Sequence, residues 1–299
     1  MSDPRLTEQR NPNSQRIDTL EAIAIVELIN AEDTKVAAAV GEEREAIAVA
    51  VELIVDSFRR GGRLIYVGAG TSGRLGVLDA TEMPPTYGTD PEMVQGIIAG
   101  GLGALVRSKE GAEDRPEDGA LAVDELGVGP TDFVLGIATS GTTPFVHGSL
   151  RRAKELGART GFLLCTHPTQ ELIDRHDVVI APLVGPEVVT GSTRMKAGTA
   201  TKLVLNTLTT GAMVRLGKVY GNLMVDVQVT CEKLRDRGER IIMETLEVDR
   251  PSAVRLLEDA GGHVKTALVM GKRAVTAAEA HALLDSGDGR MKSVMGDTP

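Results

Sequence analysis

Aromatic residues are scarce in this chain of 299 residues: they make up 2% of it, and tryptophan is absent. The core must therefore be built from alanine, valine, leucine, isoleucine and methionine. Two cysteines, Cys165 and Cys231, form neither a disulfide framework nor a metal site, and both are predicted to be reduced thiols in or near the core. Because no secretion signal and no run of eighteen apolar residues is visible, we expect a cytoplasmic protein with no membrane span.

Positive charge is also in deficit. The formal net charge is -9, which argues against nucleic acid as the main partner because that task needs a positive face. An anionic small molecule is still allowed, since a local group of N–H donors and one or two cations can outweigh the global sign. The hydrophobic fraction of 42% and charged fraction of 25% are those of an ordinary globular protein.

The hydrophobic pattern predicts an α/β fold. Helical periodicity runs from residue 17 to about residue 60, and strands then alternate with helices, which favours a mostly parallel sheet covered on both faces. After Pro186 the pattern predicts two long helices, over 193–216 and 226–247, and several short helices from Pro251 onward. The predicted strands lie near residues 63–68, 93–98, 132–138, 159–165 and 177–181.

Two of these strands end in the same Thr-Ser-Gly sequence. Residues 64–70 run into the first copy at 71–73, and residues 133–138 run into the second at 139–141. A turn of this kind directs backbone N–H groups and hydroxyls to one point in front of a helix N-terminus, which suits a phosphate. Two such turns at one sheet edge would face each other across a cleft, so the sequence predicts a phosphorylated small molecule as ligand.

A dinucleotide is the main alternative, because residues 68–73 match G-x-G-x-x-G between a strand and a helix. That fold needs an acidic residue roughly twenty positions further on, to hold a ribose. The corresponding region, residues 86–91, is a turn-rich loop before the next strand. A single dinucleotide fingerprint would also leave the second turn without a role. A structural glycine turn with no ligand is the other alternative.

A third hydroxyl-rich segment, residues 191–198, opens a long predicted helix. Ser192 or Thr193 could simply cap that helix. However, Arg194 and Lys196 in its first turn are unfavourable against the helix dipole unless an anion lies nearby. This favours a role in binding substrate.

Two groups of carboxylates could supply acid–base chemistry. Glu82 lies beside a rigid Pro-Pro segment and apolar neighbours, where partial desolvation would raise its pKa enough to donate a proton. Glu113 lies in the acidic segment 110–114, after a short predicted helix. Taken alone, each is more commonly a solvated surface charge. The five histidines show no ligand spacing, so no metal is predicted.

Several longer motifs are specific enough to indicate a family. Residues 67–76 and 138–141 resemble the SIS (sugar isomerase) domain, a phosphosugar-binding α/β fold. Within that superfamily the chain closely resembles the N-acetylmuramic acid 6-phosphate etherases, and the resemblance covers nearly the whole sequence. The motifs that carry it lie at residues 11–14, 78–86, 110–114, 184–199 and 216–226.

The resemblance implies a three-layer SIS-type sandwich with helical extensions at both ends. We expect an N-terminal arm and helices over 1–45, a phosphosugar-binding domain over 46–215 and a helical region over 216–299. It also implies a homodimer with its site near the interface. The implied activity is cleavage of the D-lactyl ether of N-acetylmuramic acid 6-phosphate during cell-wall recycling, without a metal or redox cofactor.

Roles for individual residues follow from the same resemblance. Glu82 would protonate the departing lactate, and Glu113 would remove the proton at C2. The hydroxyls expected at the phosphate are Ser72, Ser140 and Thr143, with further substrate contacts from Thr71, Ser192, Thr193 and Lys196. The chain departs from the family pattern at Thr142, where an arginine is expected. Arg74, Arg194 or Lys196 would then have to supply the missing cation.

Two other functions share this fold. A phosphosugar-responsive regulator resembling vertebrate glucokinase regulatory protein would bind without turnover, but it would have no need of Glu82 and Glu113, and this chain is too short for a second SIS domain. A ketose–aldose isomerase would share proton abstraction at C2 but would not expel a lactyl group.

Overall fold

The computed structural model describes residues 3–227, 229, 232–287 and 289–296. The chain divides into two compact units. The first comprises Met1–Thr81 and Glu92–Thr209, and the second comprises Glu82–Pro91 and Thr210–Pro299. The predicted N-terminal section, residues 1–45, thus belongs to the same unit as the α/β domain. No helix within the described residues has the length and apolar character needed to cross a membrane.

A five-stranded parallel sheet forms the centre of the first unit, in the order β2-β1-β3-β4-β5. Leu64 of β1 pairs with Val94 of β2 and with Phe133 of β3, which fixes the register of these three strands. Every predicted strand is present, which confirms the α/β prediction. The strands are β1 (Leu64–Gly68), β2 (Val94–Ile98), β3 (Phe133–Ile137), β4 (Arg159–Leu163) and β5 (Val178–Ile180).

Eight helices belong wholly or partly to the described residues of the first unit. Three 3-10 turns, Leu6–Glu8, Pro12–Ser14 and Ile17–Thr19, precede the first helix, and two more occur at Leu102–Leu105 and Ala112–Asp114. The helices are α1 (Ala22–Asp33), α2 (Val36–Glu42), α3 (Arg44–Arg59), α4 (Gly70–Thr81), α6 (Pro116–Glu125), α7 (Pro144–Glu155), α8 (Gln170–Arg175) and α9 (Lys196–Arg215, which crosses the unit boundary); α5 is Met83–Tyr87.

Side chains on the two faces of the sheet belong to different layers. Successive residues of a strand point to opposite faces. Ile65 and Val67 pack in a buried cluster with Val123 of α6 and Val146 of α7. On the other face, the hydroxyl of Tyr66 reaches α4. This is the three-layer arrangement that the resemblance implies, with a core made almost wholly of aliphatic residues.

The second unit is a small helical assembly with a two-stranded antiparallel hairpin, β6 (Val219–Tyr220) and β7 (Leu223–Met224). Asp249 caps α11 by accepting a hydrogen bond from the backbone N–H of Ser252, with Pro251 in the first turn, as the Asp-Arg-Pro sequence predicts. Cys231 lies outside the described residues, whereas Cys165 of the first unit is buried and free. The helices are α5, α10 (Glu232–Leu246), α11 (Arg250–Asp259), α12 (Val264–Arg273), α13 (Ala277–Ser286) and α14 (Met291–Met295).

Candidate active site

The two Thr-Ser-Gly turns lie at adjacent strand ends. β1 and β3 are hydrogen-bonded neighbours that run in the same direction, so Gly68 and Ile137 lie side by side. The first turn (residues 68–73) follows β1, and the second turn (residues 138–143) follows β3. This confirms the expectation that both turns open at the same edge of the sheet, where ligands of open parallel sheets bind.

Glycine at two positions lets the first turn begin a helix close to the strands. A Cβ on Gly68 would lie 2.6 Å from the backbone N of Gly73, and a Cβ on Gly73 would lie 2.6 Å from Cγ1 of Ile98. Either contact is too short for any side chain. The first N–H groups of α4, which have no partner within the helix, are therefore held at the edge of the sheet.

The second turn leaves hydroxyls free to bind a ligand. Thr143 occupies the N-cap position of α7, yet its side chain makes no capping hydrogen bond. The Ser140 and Thr142 hydroxyls are 3.0 Å apart, and the ring Nε2 of His147 lies 2.9 Å from the carbonyl oxygen of Gly141. These contacts hold the turn in shape while the Thr143 hydroxyl remains available.

A cavity of about 430 Å³ opens between the two turns. It brings together five of the residues predicted for the site. Arg5 is the only cation that lines it among the described residues, against the carboxylates of Glu8, Glu113 and Asp114. The predicted residues in its lining are Ser72, Glu113, Ser140, Thr143 and Thr193.

Glu113 also lines a second, smaller cavity of about 190 Å³, which shares Ala69 with the first. The glutamate lies in a 3-10 turn that follows Gly111, a residue at φ +73°. Arg74 lines the smaller cavity and donates hydrogen bonds to the carbonyl oxygens of Ala104 and Leu105. Glu113 is therefore the carboxylate common to both spaces, which is a suitable place for a base beside a bound sugar.

Two predicted hydroxyls do not line the larger cavity. Thr71 lies in the first turn of α4, and its methyl carbon is 3.6 Å from where a Cβ on Gly198 would be. Ser192 lies in the turn before α9, where its backbone N–H donates to the carbonyl of Val189. Thr193, its neighbour in sequence, does line the cavity.

Lys196, which was predicted to contact the substrate, is held elsewhere in the structure. Its side chain is 2% exposed, and its Nζ lies 2.6 Å from Oε2 of Glu32 in α1. The ammonium is thus occupied by a buried ion pair and does not line the cavity. Its unfavourable position at a helix N-terminus is offset within the protein, because Glu187 accepts hydrogen bonds from the backbone N–H groups of Lys196 and Ala197.

Glu32 is the centre of this buried network. Burial alone would raise its pKa, but hydrogen bonds from Lys196, Lys35, Asn13 and Asn11 outweigh that effect and hold the pKa well below its usual range. The carboxylate is therefore charged at neutral pH. It joins α1, the start of α9 and the N-terminal segment of the first unit.

Glu82 lies in the second unit, at the N-cap position of α5. Its side chain is exposed and makes no capping hydrogen bond. The expected partial desolvation of this carboxyl is therefore not seen in the single chain. The neighbouring prolines do form the start of the short helix, as the rigid Pro-Pro sequence favours.

Arg5 and Glu8 are the cavity residues that the sequence reasoning missed. Both belong to the N-terminal segment, for which the sequence predicts only an arm. A signal was present in Asn11, a residue of one quoted motif: its buried side chain donates to Glu32 and to the carbonyl oxygen of Pro186. A segment anchored in this way brings its preceding residues to the cleft.

Comparisons with known proteins agree with this geometry. Residues 46–154, which include both turns, match the family model described as the glucokinase regulatory protein N-terminal SIS domain. The N-acetylmuramic acid 6-phosphate etherase of Synechococcus elongatus is 54% identical over 290 residues, covering 97% of this chain and 94% of that protein. The one from Salinibacter ruber is 56% identical over 293 residues, with the same two coverages.

The chain belongs to the N-acetylmuramic acid 6-phosphate etherase family. A third relative, the etherase of Gloeobacter violaceus, is 57% identical over 265 residues, covering 89% of this chain and 86% of that protein. The family resemblance inferred from the sequence motifs is thus confirmed. In this etherase-family chain, the SIS match covers both strand-end turns of the cleft, while the similarity to the etherases extends through both units.

Proposed function

We propose that this protein cleaves the D-lactyl ether of N-acetylmuramic acid 6-phosphate, giving N-acetylglucosamine 6-phosphate and D-lactate. One observation carries the proposal: the chain is more than half identical to etherases over 97% of its length. The cleft agrees with the substrate, because hydroxyls from two strand-end turns suit a phosphate and a carboxylate lies beside them.

The reaction proceeds by elimination followed by addition of water. In the open-chain sugar, the C2 hydrogen is acidic because it lies next to the aldehyde. Glu113 takes that proton, the electron pair forms the C2–C3 double bond, and the C3–O bond of the lactyl ether breaks. Glu82 gives a proton to the departing lactate oxygen. Water then adds at C3 and a proton returns to C2, so that one water is consumed for each lactate released.

Ser72, Ser140 and Thr143 bind the phosphate in this proposal, with Thr193 as a further hydroxyl. Their presence around one cavity supports these roles. The phosphate contacts are the same in the ground state and in the transition state, so they contribute affinity and orientation more than rate. The acid and base, by contrast, each contribute roughly 10²- to 10⁴-fold in rate.

A regulator that binds phosphosugar without turnover is the less favoured alternative. The glucokinase regulatory protein match is confined to residues 46–154, whereas the etherase relatives match both ends of the chain. Glu113 also lies in the cleft wall, where a protein that only binds has no need of a base.

We further propose a homodimer, in the cytoplasm, where sugar phosphates are metabolised. Support for the dimer comes from α1, in which Glu32 is the only buried residue. Ile23 and Val26 are 67% and 62% exposed. Such an apolar helix surface is typical of an interface, and a second copy of the same surface is its simplest occupant.

Incubation of the pure protein with N-acetylmuramic acid 6-phosphate in ¹⁸O-labelled water tests the reaction. Elimination and addition place the label on C3 of the sugar and leave the lactate oxygens unlabelled. Label in the hydroxyl oxygen of lactate would instead show attack of water at the lactyl carbon. Absence of any lactate would reject the etherase activity and favour the regulator.

A further inference from the structure

The N-terminal segment forms part of the wall of the phosphosugar cavity. Arg5 and Glu8 line the larger cavity together with Thr142 and Ser140 of the second turn. These residues lie more than a hundred positions apart in the sequence, and only the fold brings them together.

Hydrogen bonds at several points fix this segment in place. The backbone N–H of Leu6 donates to Oγ1 of Thr166, just beyond β4, at 3.0 Å. The Asn11 side chain donates to Glu32 at 2.9 Å and to the carbonyl oxygen of Pro186 at 3.0 Å. Thr7, between Arg5 and Glu8, is 0% exposed. The backbone that follows Arg5 is therefore anchored to the rest of the first unit.

The charges around the cavity favour a cation in its wall that binds the substrate. The proposed substrate carries a phosphate and a lactyl carboxylate, while the lining already contributes three carboxylates. The second turn has Thr142 where the resemblance to the family leads us to expect an arginine. Of the cations considered as replacements, Lys196 is held by Glu32, and Arg74 donates to the backbone carbonyls of Ala104 and Leu105. Arg194 is exposed and lies outside the cavity lining.

Arg5 keeps donors available for an anion. Its guanidinium has five N–H groups, and Asp3 accepts from Nε at 2.9 Å and from one Nη at 2.6 Å. These hydrogen bonds lower the pKa of Asp3 to about 2, so the pair is ionised at neutral pH. Asp3 thus orients the guanidinium of Arg5. The second amino group of that guanidinium, Nη1, makes no hydrogen bond with Asp3.

We propose that Arg5 binds an anionic oxygen group of the substrate and takes the place of the cation that Thr142 does not provide. The proposal rests on the proposed function for the identity of the substrate. The anionic group is the phosphate or the lactyl carboxylate, which share this chemistry. Arg5 acts as a binding and specificity residue, so its loss affects affinity more than the chemical step.

Steady-state kinetics of Arg5→Ala test this role. A charge-assisted hydrogen bond made equally in the ground and transition states contributes to KM, so KM is expected to rise roughly 10- to 100-fold with kcat little changed. Arg10→Ala is the matched control, because Arg10 is an exposed arginine of the same segment outside the cavity lining. Thermal unfolding of both variants should coincide with that of the wild type.

Rescue separates binding from a structural role. Thr142 is exposed within the cleft, so Thr142→Arg in the Arg5→Ala background should restore much of the lost affinity, and Arg5→Lys should retain part of it. An unchanged KM in Arg5→Ala, or a loss that neither rescue variant restores, would overturn the proposal.

Titration with N-acetylglucosamine 6-phosphate distinguishes the two anions. Weaker binding of this product to Arg5→Ala assigns Arg5 to the phosphate, and unchanged product binding with a raised KM for substrate assigns it to the lactyl carboxylate. Wild-type protein that releases no lactate would reject the proposed function instead. In that case the inference fails only if Arg5→Ala binds the phosphosugar as tightly as the wild type.

Discussion

Glu113 lines both cavities of the first unit. Its replacement therefore tests directly whether it is the base that removes the C2 proton. Glutamine keeps the shape of the side chain but cannot accept a proton. We expect Glu113→Gln to reduce turnover by roughly 10²- to 10⁴-fold and to leave phosphosugar binding nearly unchanged. Glu117→Gln is the control, because Glu117 is exposed on the neighbouring helix α6 and outside both cavity linings. Equal activity in Glu113→Gln would remove this residue from the mechanism.

Isotope exchange assigns the acid and the base separately. In deuterated water, Glu82→Gln should still exchange the C2 hydrogen of the substrate, because the base is intact, but should release lactate slowly. Glu113→Gln should do neither. Mass spectrometry of the recovered substrate and an assay of lactate measure the two steps. Exchange in Glu113→Gln with none in Glu82→Gln would reverse the assignment.

At the level of the helices, the buried Glu32–Lys196 pair joins α1 to the start of α9. Removing one partner leaves the other charge buried without compensation, which typically costs about 3–5 kcal/mol. We therefore expect Glu32→Gln to lower the free energy of unfolding by an amount of that order. Chemical denaturation measures it. The double variant Glu32→Gln/Lys196→Met should be less destabilised than Glu32→Gln alone, and a simple sum of two losses would argue against coupling.

The same pair predicts how stability depends on pH. The pKa of Glu32 is lower in the folded protein than in the unfolded chain, where it is about 4.3. Its contribution is therefore complete above that unfolded value and is lost as the pH falls toward the folded one. The difference in unfolding free energy between wild type and Glu32→Gln should be constant near neutral pH and shrink below about pH 4. A difference that stays constant into acid would contradict the ionised pair.

For the whole molecule, the apolar surface of α1 makes association testable. Lysines at Ile23 and Val26 would place charges in the proposed interface, so Ile23→Lys/Val26→Lys should sediment as a monomer where the wild type sediments as a dimer. Leu121→Lys, at an exposed apolar position of α6, is the control and should remain dimeric. A dimer that survives the double substitution would place the interface elsewhere.

Mixing two inactive variants tests whether one active site contains residues from both subunits. Glu113 lines the larger cavity of the first unit, whereas the side chain of Glu82 is exposed in the single chain. We expect a refolded mixture of Glu82→Gln and Glu113→Gln to regain up to about a quarter of wild-type activity. Half of the dimers would then be mixed, with one of two sites intact. An inactive mixture would show that each subunit uses its own two glutamates.

The sequence by itself determined the elements and the cleft. Strand positions, the helix start near Pro251 and the paired Thr-Ser-Gly turns are encoded locally, in hydrophobic period, glycine and proline positions, and hydroxyls at helix starts. Because β1 and β3 are parallel neighbours, these local signals were enough to place Ser72 and Ser140 around one cavity. The motifs likewise identified the family without reference to any contact.

Only the tertiary structure decided which charges reach the cleft. Lys196 was assigned to substrate from its place at a helix start, but a carboxylate from α1, 164 positions away, holds it in the interior. Arg5 gave no periodic signal, yet a hydrogen bond from the backbone N–H of Leu6 to the hydroxyl of Thr166, 160 positions away, holds its segment at the cavity. A buried charge needs a partner close to it in space, because an unpaired charge in the interior is costly. The spacing of residues along the sequence does not show which partner that is.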